Sequence, residues 1–280
     1  MTLWNAIILG IVQGIAEFLP ISSSGHLSVL QNLFHMSTAE NGHLFFDVML
    51  HFGTLISICI VYWKDITAMV RETLEAFSGA RGGKTEKGKR ANLPAARLVM
   101  MILFATLPLV LILPVKDRVE QLYGHTLVIG LFFLITGFIL AVSDKMPRGN
   151  RSEKSMRVTD ALIIGLCQCV ATIPGISRSG TTITAGMATG LDREFAVKFS
   201  FLMSIPAVLG ATLLTLIDAF KTGINASLLP VYLVGTVIST VVGVFAIRLV
   251  RSITSKGKFG NFSYYCWTVG VLTILLSLLF

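Results

Sequence analysis

Two stretches of the chain carry residue types that could bind and attack a phosphate. Residues 13–26 contain Glu17, a run of three serines and His26, and residues 168–182 contain Arg178 within a second serine-rich turn. The two stretches align at an offset of 155 residues, with the same amide, serine and glycine positions in both. The matched pairs are Gln13 with Gln168, Ser22 with Ser177, Ser24 with Ser179, and Gly25 with Gly180.

In each stretch a proline precedes the serine- and glycine-rich turn, and a short apolar run follows, so each turn is predicted to start a helix. Helix N-termini carry about half a positive charge and free N–H groups, and they are ready anion sites. Arg178 adds a planar fork of donors, so the two turns together predict a phosphate or diphosphate site. The alternative is a purely structural role, in which the serines only cap helices. The candidate binding residues are Gln13, Ser22, Ser24, Gly25, Ser177, Ser179, Gly180 and Thr182.

Four residues are candidates for catalysis: Glu17, Ser23, His26 and Arg178. A carboxylate in an apolar segment costs a few kcal/mol, so Glu17 should face a cavity or a partner, and Gln13 lies on the same helix face. Glu17 could instead make a purely structural hydrogen bond, and Arg178 could merely neutralise it. His26 can act as a nucleophile or as a general acid and base. The sequence leaves the attacking group open between Ser23, His26 and water, with a slight preference for Ser23 assisted by Glu17 and His26.

The composition indicates an integral membrane protein. Apolar residues make up 54% of the 280 positions and charged residues 14%, against about 25% charged residues in soluble domains. The net charge of +8 does not indicate nucleic-acid binding, because the basic residues lie in the gaps between apolar runs. Asp47 and His51 begin one of these runs, and they either line the same cavity as Glu17 or lie at the membrane interface.

Six windows are long enough to cross a bilayer, which takes about 20 mostly apolar residues. They are roughly 44–63, 97–115, 126–143, 197–217, 229–247 and 263–280. The apolar runs on either side of the two serine-rich turns are shorter than that. Irregular backbone at membrane depth must be buried by protein or line a cavity, so each pair of short runs is interpreted as a re-entrant helical hairpin.

The predicted fold is therefore an all-α polytopic membrane protein with an inverted repeat, each half comprising one re-entrant hairpin and three transmembrane helices. The first repeat spans 1–143, with its hairpin at 4–34, and the second spans 158–280, with its hairpin at 160–191. Residues 144–157 form a cytoplasmic linker. Three crossings per half invert the second half relative to the first, as in many transporters whose broken helices meet near the midplane.

The distribution of the basic residues predicts how the chain is oriented in the membrane. With the chain starting outside, 19 of the 23 Lys and Arg residues fall in segments on one side of the membrane, which the positive-inside rule assigns to the cytoplasm. The first hairpin then enters from outside and the second from inside. The stretch Ser78–Asn92, rich in Gly, Lys and Arg, is predicted to be a flexible cytoplasmic loop.

Three motifs in order resemble the undecaprenyl-diphosphate phosphatases, the bacitracin-resistance type of lipid phosphatase. They are Gln13-x-x-x-Glu17, Phe-Leu-Pro-x-Ser-Ser-x-Gly-His at 18–26, and Pro174-Gly-x-Ser-Arg-Ser-x-x-Thr182. The resemblance implies hydrolysis of undecaprenyl diphosphate to undecaprenyl phosphate, which recycles the lipid carrier of cell-wall synthesis and confers bacitracin resistance. It implies a bacterial plasma-membrane enzyme whose site opens on the extracytoplasmic side.

The resemblance also implies a divalent cation, Mg²⁺ or Ca²⁺, held partly by Glu17. The expected partners are a polyprenyl diphosphate and the membrane; no nucleic acid is expected, and a homodimer is left open. The rival from another class is a transporter, which would move a substrate without releasing phosphate. The phosphatase hypothesis requires Glu17 and Arg178 to share one polar chamber.

Overall fold

The computed structural model of the protein describes residues 2–33, 40–81, 93–222 and 226–279. Within these ranges the chain is helical, with no strand beyond one isolated bridge between Arg151 and Leu191. The all-α prediction is confirmed. In chain order the helices are α1 (Leu3–Ala16), α2 (Ser23–Leu33), α3 (Glu40–Val61), α4 (Trp63–Arg81), α5 (Pro94–Thr106), α6 (Lys116–Gln121), α7 (Thr126–Ser143), α8 (Val158–Val170), α9 (Arg178–Ala188), α10 (Arg193–Thr222), α11 (Leu229–Ser255) and α12 (Phe262–Leu279).

Five helical segments in the described part of the chain are long and apolar enough to cross a membrane. Each overlaps one of the predicted windows, and together they agree with a multi-pass membrane protein. A 3₁₀ helix, Leu107–Val115, prolongs α5 into the first of them. The segments are Pro94–Gly124, Thr126–Ser143, Arg193–Leu213, Leu229–Ser255 and Phe259–Leu279.

The sixth predicted window, 44–63, differs from the prediction. After Val61 the chain bends by 81° into α4, and only α3 and α4 taken together qualify as a membrane crossing. Helix α4 contains charged as well as apolar residues, so its average hydropathy is too low to indicate a membrane-crossing segment. Of the predicted loop Ser78–Asn92, the first four residues belong to α4, and residues 82–92 lie outside the described part of the chain.

The two short apolar runs form the helices α1 and α8, of 14 and 13 residues. At 1.5 Å per residue these helices are about 20 Å long, well short of the roughly 30 Å of a hydrocarbon core. Each ends in a turn that leads into another short helix, α2 after α1 and α9 after α8. We use the word bend for each turn together with the first residues of the helix that follows it: residues 17–25 are the first bend and residues 171–180 are the second bend.

Each short helix packs against a helix from the other half of the chain, α1 on α11 and α8 on α5. The approach is close: a Cβ at Gly165 would lie 2.3 Å from the Ala105 carbonyl oxygen, and a Cβ at Gly10 would lie 2.8 Å from that of Gly235. Elsewhere α3 packs on α10 and α11, and α7 packs on α12. These contacts hold both bends within the helical bundle.

The predicted linker 144–157 is tied to the second pair of short helices. Arg151 forms an ion pair with Asp160, which is buried at the start of α8, and donates to the Thr189 carbonyl at 2.8 Å. The Asp160 carboxylate also accepts from the Arg157 backbone N–H at 2.6 Å. One buried carboxylate therefore caps α8 and fixes the linker to it.

Replacing Asp160 with asparagine keeps the side-chain shape but removes the charge opposite Arg151. Breaking one partner of a buried pair typically costs about 3–5 kcal/mol, so we expect a lower thermal unfolding midpoint in detergent micelles. The matched change Asp117→Asn, at an exposed position of α6, should leave the midpoint unchanged. Equal midpoints for both variants would contradict this role.

Candidate active site

The first and second bends touch each other. Ser179, at the start of α9, donates its hydroxyl to the Leu19 carbonyl at 3.1 Å. A Cβ at Gly25 would lie 2.9 Å from the Cα of Gly175, whose φ of +94° is one that glycine adopts readily. Glycine at both positions therefore lets the two backbones meet directly.

The same hydrogen-bonding pattern starts the helix after each bend. Ser22 accepts from the Gly25 N–H at 3.3 Å, and Ser177 accepts from the Gly180 N–H at 3.1 Å. These serines are matched in the sequence repeat, and both act as N-caps. The predicted capping role of the two serines is thus present, and two helix N-termini lie beside the contact between the bends.

Glu17 is the centre of a buried polar network. One carboxylate oxygen forms an ion pair with Arg178, at the start of α9. The other oxygen accepts from the Ser23 hydroxyl at 2.6 Å and from the Gln13 amide at 3.0 Å. Glu17 is only 7% exposed. The structure therefore places two of the predicted catalytic residues, Ser23 and Arg178, in contact with a third, Glu17.

The pairing of Glu17 with Arg178 bears on the alternative that the arginine only neutralises the acid. Arg178 does neutralise Glu17, but the bond uses one nitrogen of a guanidinium that carries five N–H donors. Its side chain is 20% exposed. The remaining donors can therefore bind a second anion without the pair being broken.

His51 belongs to the same network, and the sequence had left its position open. Its Nδ1 lies 3.3 Å from the Glu17 carboxylate and 2.9 Å from the Gln13 amide nitrogen. Asp47, one turn earlier on α3, instead accepts from Gln31 at 2.8 Å. A histidine inside an apolar helix was the only signal in the sequence, and it did not identify Glu17 as the partner.

His26 lies in a neighbouring position and uses neither ring nitrogen to contact Glu17. Its Nδ1 donates to the Ser22 carbonyl at 2.7 Å, and its Nε2 is 2.8 Å from the Tyr265 hydroxyl. Tyr265 comes from α12, in the other half of the chain. Sequence reasoning missed it, because a tyrosine in an apolar helix carries no motif.

The other predicted binding hydroxyls already have protein partners. Ser179 binds Leu19 across the bends, as described above, and Thr182 contacts the Ser200 hydroxyl on α10 at 2.6 Å. The Ser24 hydroxyl is 3.5 Å from that of Ser22. Their binding roles stay predictions, since each would have to exchange or share a protein hydrogen bond with a ligand.

The oxygen atoms around Glu17 fit a divalent cation held jointly with a bound phosphate. The Gln13 Oε1 is buried and has no hydrogen-bond partner, and Gln13 lies one helical turn before Glu17. Mg²⁺ commonly takes one or two protein oxygens together with substrate phosphates. Among the described residues no group of three or more His, Cys, Asp or Glu side chains could hold a metal by itself.

Comparison with known proteins gives one family and many relatives. The family model described as "Bacitracin resistance protein BacA" matches residues 6–272. The undecaprenyl-diphosphatase of Alkaliphilus metalliredigens is 44% identical over the full length of both chains. The undecaprenyl-diphosphatase of Methanosphaera stadtmanae is 40% identical, and the alignment covers 98% of this chain and 97% of the relative. Undecaprenyl-diphosphatase 3 of Bacillus cereus is 36% identical, and the alignment covers 98% of this chain and 96% of the relative.

The contact between the bends leads to a test with Gly25→Ala. The added methyl group would overlap Gly175, and overpacking of this kind costs typically 1–3 kcal/mol. We therefore expect a lower thermal unfolding midpoint in micelles. Gly210→Ala is the control, because a Cβ there meets nothing within 4 Å and alanine favours the helix. A Gly25→Ala midpoint at or above that of the wild type would contradict the close approach.

Proposed function

Because this chain belongs to the BacA family of bacitracin resistance proteins, we propose that it is a membrane phosphatase that hydrolyses undecaprenyl diphosphate to undecaprenyl phosphate and phosphate. The observation that carries the proposal is the contact of Ser23 and Arg178 with one carboxylate, Glu17, where the two bends meet. A nucleophile, a proton acceptor and an anion-binding group are thereby assembled in one place.

The diphosphate binds between the N-termini of α2 and α9 in this proposal. The first backbone N–H groups of a helix have no intrahelical acceptor, and two such ends add their partial positive charges. Arg178 contributes its remaining N–H donors. Much of phosphoryl transfer depends on positioning and on stabilising the charge of the transferred group, which these donors supply.

In the first chemical step the Ser23 oxygen attacks the terminal phosphorus. The Ser23 Oγ–P bond forms as the bond from that phosphorus to the bridging oxygen breaks, and undecaprenyl phosphate leaves with the bridging oxygen. The serine proton passes to Glu17, to which the hydroxyl already donates at 2.6 Å. This distance supports Ser23 over His26 as the attacking group.

In the second step a water molecule hydrolyses the phosphoserine. The water oxygen bonds to phosphorus, the P–Oγ bond breaks, and Ser23 regains its proton from Glu17. His26, three residues after Ser23 on α2, is the base for this water through Nε2, because its Nδ1 already donates to the Ser22 carbonyl. Inorganic phosphate and the proton gained by His26 are then released.

A divalent cation, Mg²⁺ or Ca²⁺, is part of the proposal. Glu17 and the Gln13 Oε1 would hold it, and it would offset negative charge on the diphosphate. The support is the unpartnered buried oxygen of Gln13, whose amide nitrogen donates to the carboxylate.

The proposed architecture is an inverted repeat whose two re-entrant hairpins, α1–α2 and α8–α9, meet at their bends. Two observations support it: α1 and α8 are too short to cross a bilayer, and each packs on a helix of the opposite half. The halves are residues 1–143 and 158–280, with the linker on the cytoplasmic side. The distribution of Lys and Arg supports this orientation.

The membrane we infer is the bacterial inner membrane, with the site open on its outer face. There the activity would recycle the carrier lipid of cell-wall synthesis and thereby confer bacitracin resistance. Both bends come from one chain, so a homodimer is not needed to complete the site. The transporter alternative does not explain why a serine hydroxyl donates to a buried carboxylate beside an arginine.

The test is release of inorganic phosphate from undecaprenyl diphosphate by purified protein in micelles, with and without a chelator. Ser23→Ala, Glu17→Gln and Arg178→Lys should each lower the rate by about 10³-fold or more, because they remove the nucleophile, its proton acceptor and the guanidinium fork that binds the phosphate, respectively. Chelation should lower the wild-type rate, and added Mg²⁺ or Ca²⁺ should restore it.

The matched controls are Ser255→Ala, Glu120→Gln and Arg118→Lys, all at exposed positions, and they should keep the wild-type rate. Near-normal release by any of the three site variants would defeat the role assigned to that residue. Movement of the lipid across vesicle membranes without phosphate release would favour the transporter instead.

A further inference from the structure

The His26 imidazole is held on several sides by groups from both halves of the chain. The edge of Phe133 packs on it with ring centroids 4.9 Å apart, and the ring of Tyr265 stacks on it at 5.7 Å with an interplanar angle of 13°. The Ser22 carbonyl and the Tyr265 hydroxyl take its two nitrogens, at 2.7 and 2.8 Å. Little freedom of rotation is left to the ring.

The carbonyl of Ser22 determines which nitrogen carries the hydrogen. A carbonyl oxygen only accepts, so Nδ1 must donate, and in the neutral imidazole Nε2 then holds the lone pair. The Tyr265 hydroxyl is therefore the donor to Nε2. The two contacts together specify a single tautomer and a single ring orientation.

The backbone of Ser22, which makes this contact, has an unusual conformation. Ser22 has φ +68°, and among the described residues it is the only one other than glycine with a positive φ. Such a conformation is unfavourable for residues other than glycine and persists where the surrounding structure determines it. Here the Ser22 carbonyl accepts from both the backbone N–H and Nδ1 of His26.

Tyr265 is placed differently from its neighbour on α12. Tyr264 is 69% exposed, and its ring packs at right angles on Trp267 of the same helix. Tyr265 is 44% exposed and directs its hydroxyl at His26, which belongs to the first half of the chain. Of these adjacent tyrosines, only Tyr265 makes a polar contact with a residue of the candidate site.

We propose that Tyr265 connects His26 to the water that hydrolyses the phosphoserine: its hydroxyl gives its proton to Nε2 and takes one from the water, while its ring holds the imidazole in place. Its kinetic consequence rests on the proposed function, whereas its hydrogen bond to His26 can be measured without it. Tyr265 contacts the water and not the phosphate in this proposal, and it depends on His26 to receive the proton.

The kinetic test compares Tyr265→Phe with Tyr264→Phe, the same change one residue away. Tyr265→Phe keeps the stacked ring and loses only the hydroxyl, so kcat should fall about tenfold with KM unchanged. Tyr264→Phe should match the wild type. In a His26→Gln background, Tyr265→Phe should cause no further loss, because the residue through which it acts is gone. Equal kcat values for the two phenylalanine variants would overturn the proposal. So would a further tenfold fall in kcat when Tyr265→Phe is added to His26→Gln.

The spectroscopic test uses protein labelled with ¹⁵N at its five histidines, with His26 assigned by its absence in His26→Gln. The Nε2 resonance of His26 should shift in Tyr265→Phe and stay unchanged in Tyr264→Phe. Identical His26 spectra in all three proteins would overturn the hydrogen bond. If the wild type released no phosphate, the proposed function would fail, yet these spectra would still decide whether Tyr265 donates a hydrogen bond to His26.

Discussion

The ion pair between Glu17 and Arg178 is the interaction on which the rest of the structure depends. Each residue lies in a bend between two short helices, and either charge buried without the other would be unfavourable by several kcal/mol. Only when the two bends meet is each charge neutralised. The packing of α1 on α11 and of α8 on α5 brings the bends together, so the fold and the site are built by the same contacts.

In the proposed mechanism the pair also contributes to the reactivity. Because Arg178 takes one carboxylate oxygen of Glu17, the other is left to Ser23, Gln13 and His51. In the proposed mechanism Glu17 becomes neutral when it takes the serine proton, and the negative charge of the diphosphate then balances Arg178. The charge that stabilises the contact between the halves is thus the charge that would bind and activate a diphosphate.

Much of this could be predicted from the sequence, because the signals were local and repeated. The two matched motifs indicated which residues start helices, and hydropathy located five of the crossings. Helix α4 could not be found that way, since its charged residues lower the average over any window. The contacts of His51 and Tyr265, and the positive φ of Ser22, follow from how separate helices pack. No pattern along the chain encodes them.

The most direct measurement of the central claim is a disulfide between the bends. A Cβ at position 180 would lie 3.2 Å from the Cβ of Pro20, close to the separation that a disulfide requires. With the four native cysteines replaced by alanine, Pro20→Cys and Gly180→Cys should cross-link within the monomer under mild oxidation, giving a linked peptide pair by mass spectrometry. Absence of that pair, with both cysteines still reactive toward a thiol reagent, would contradict the meeting of the bends.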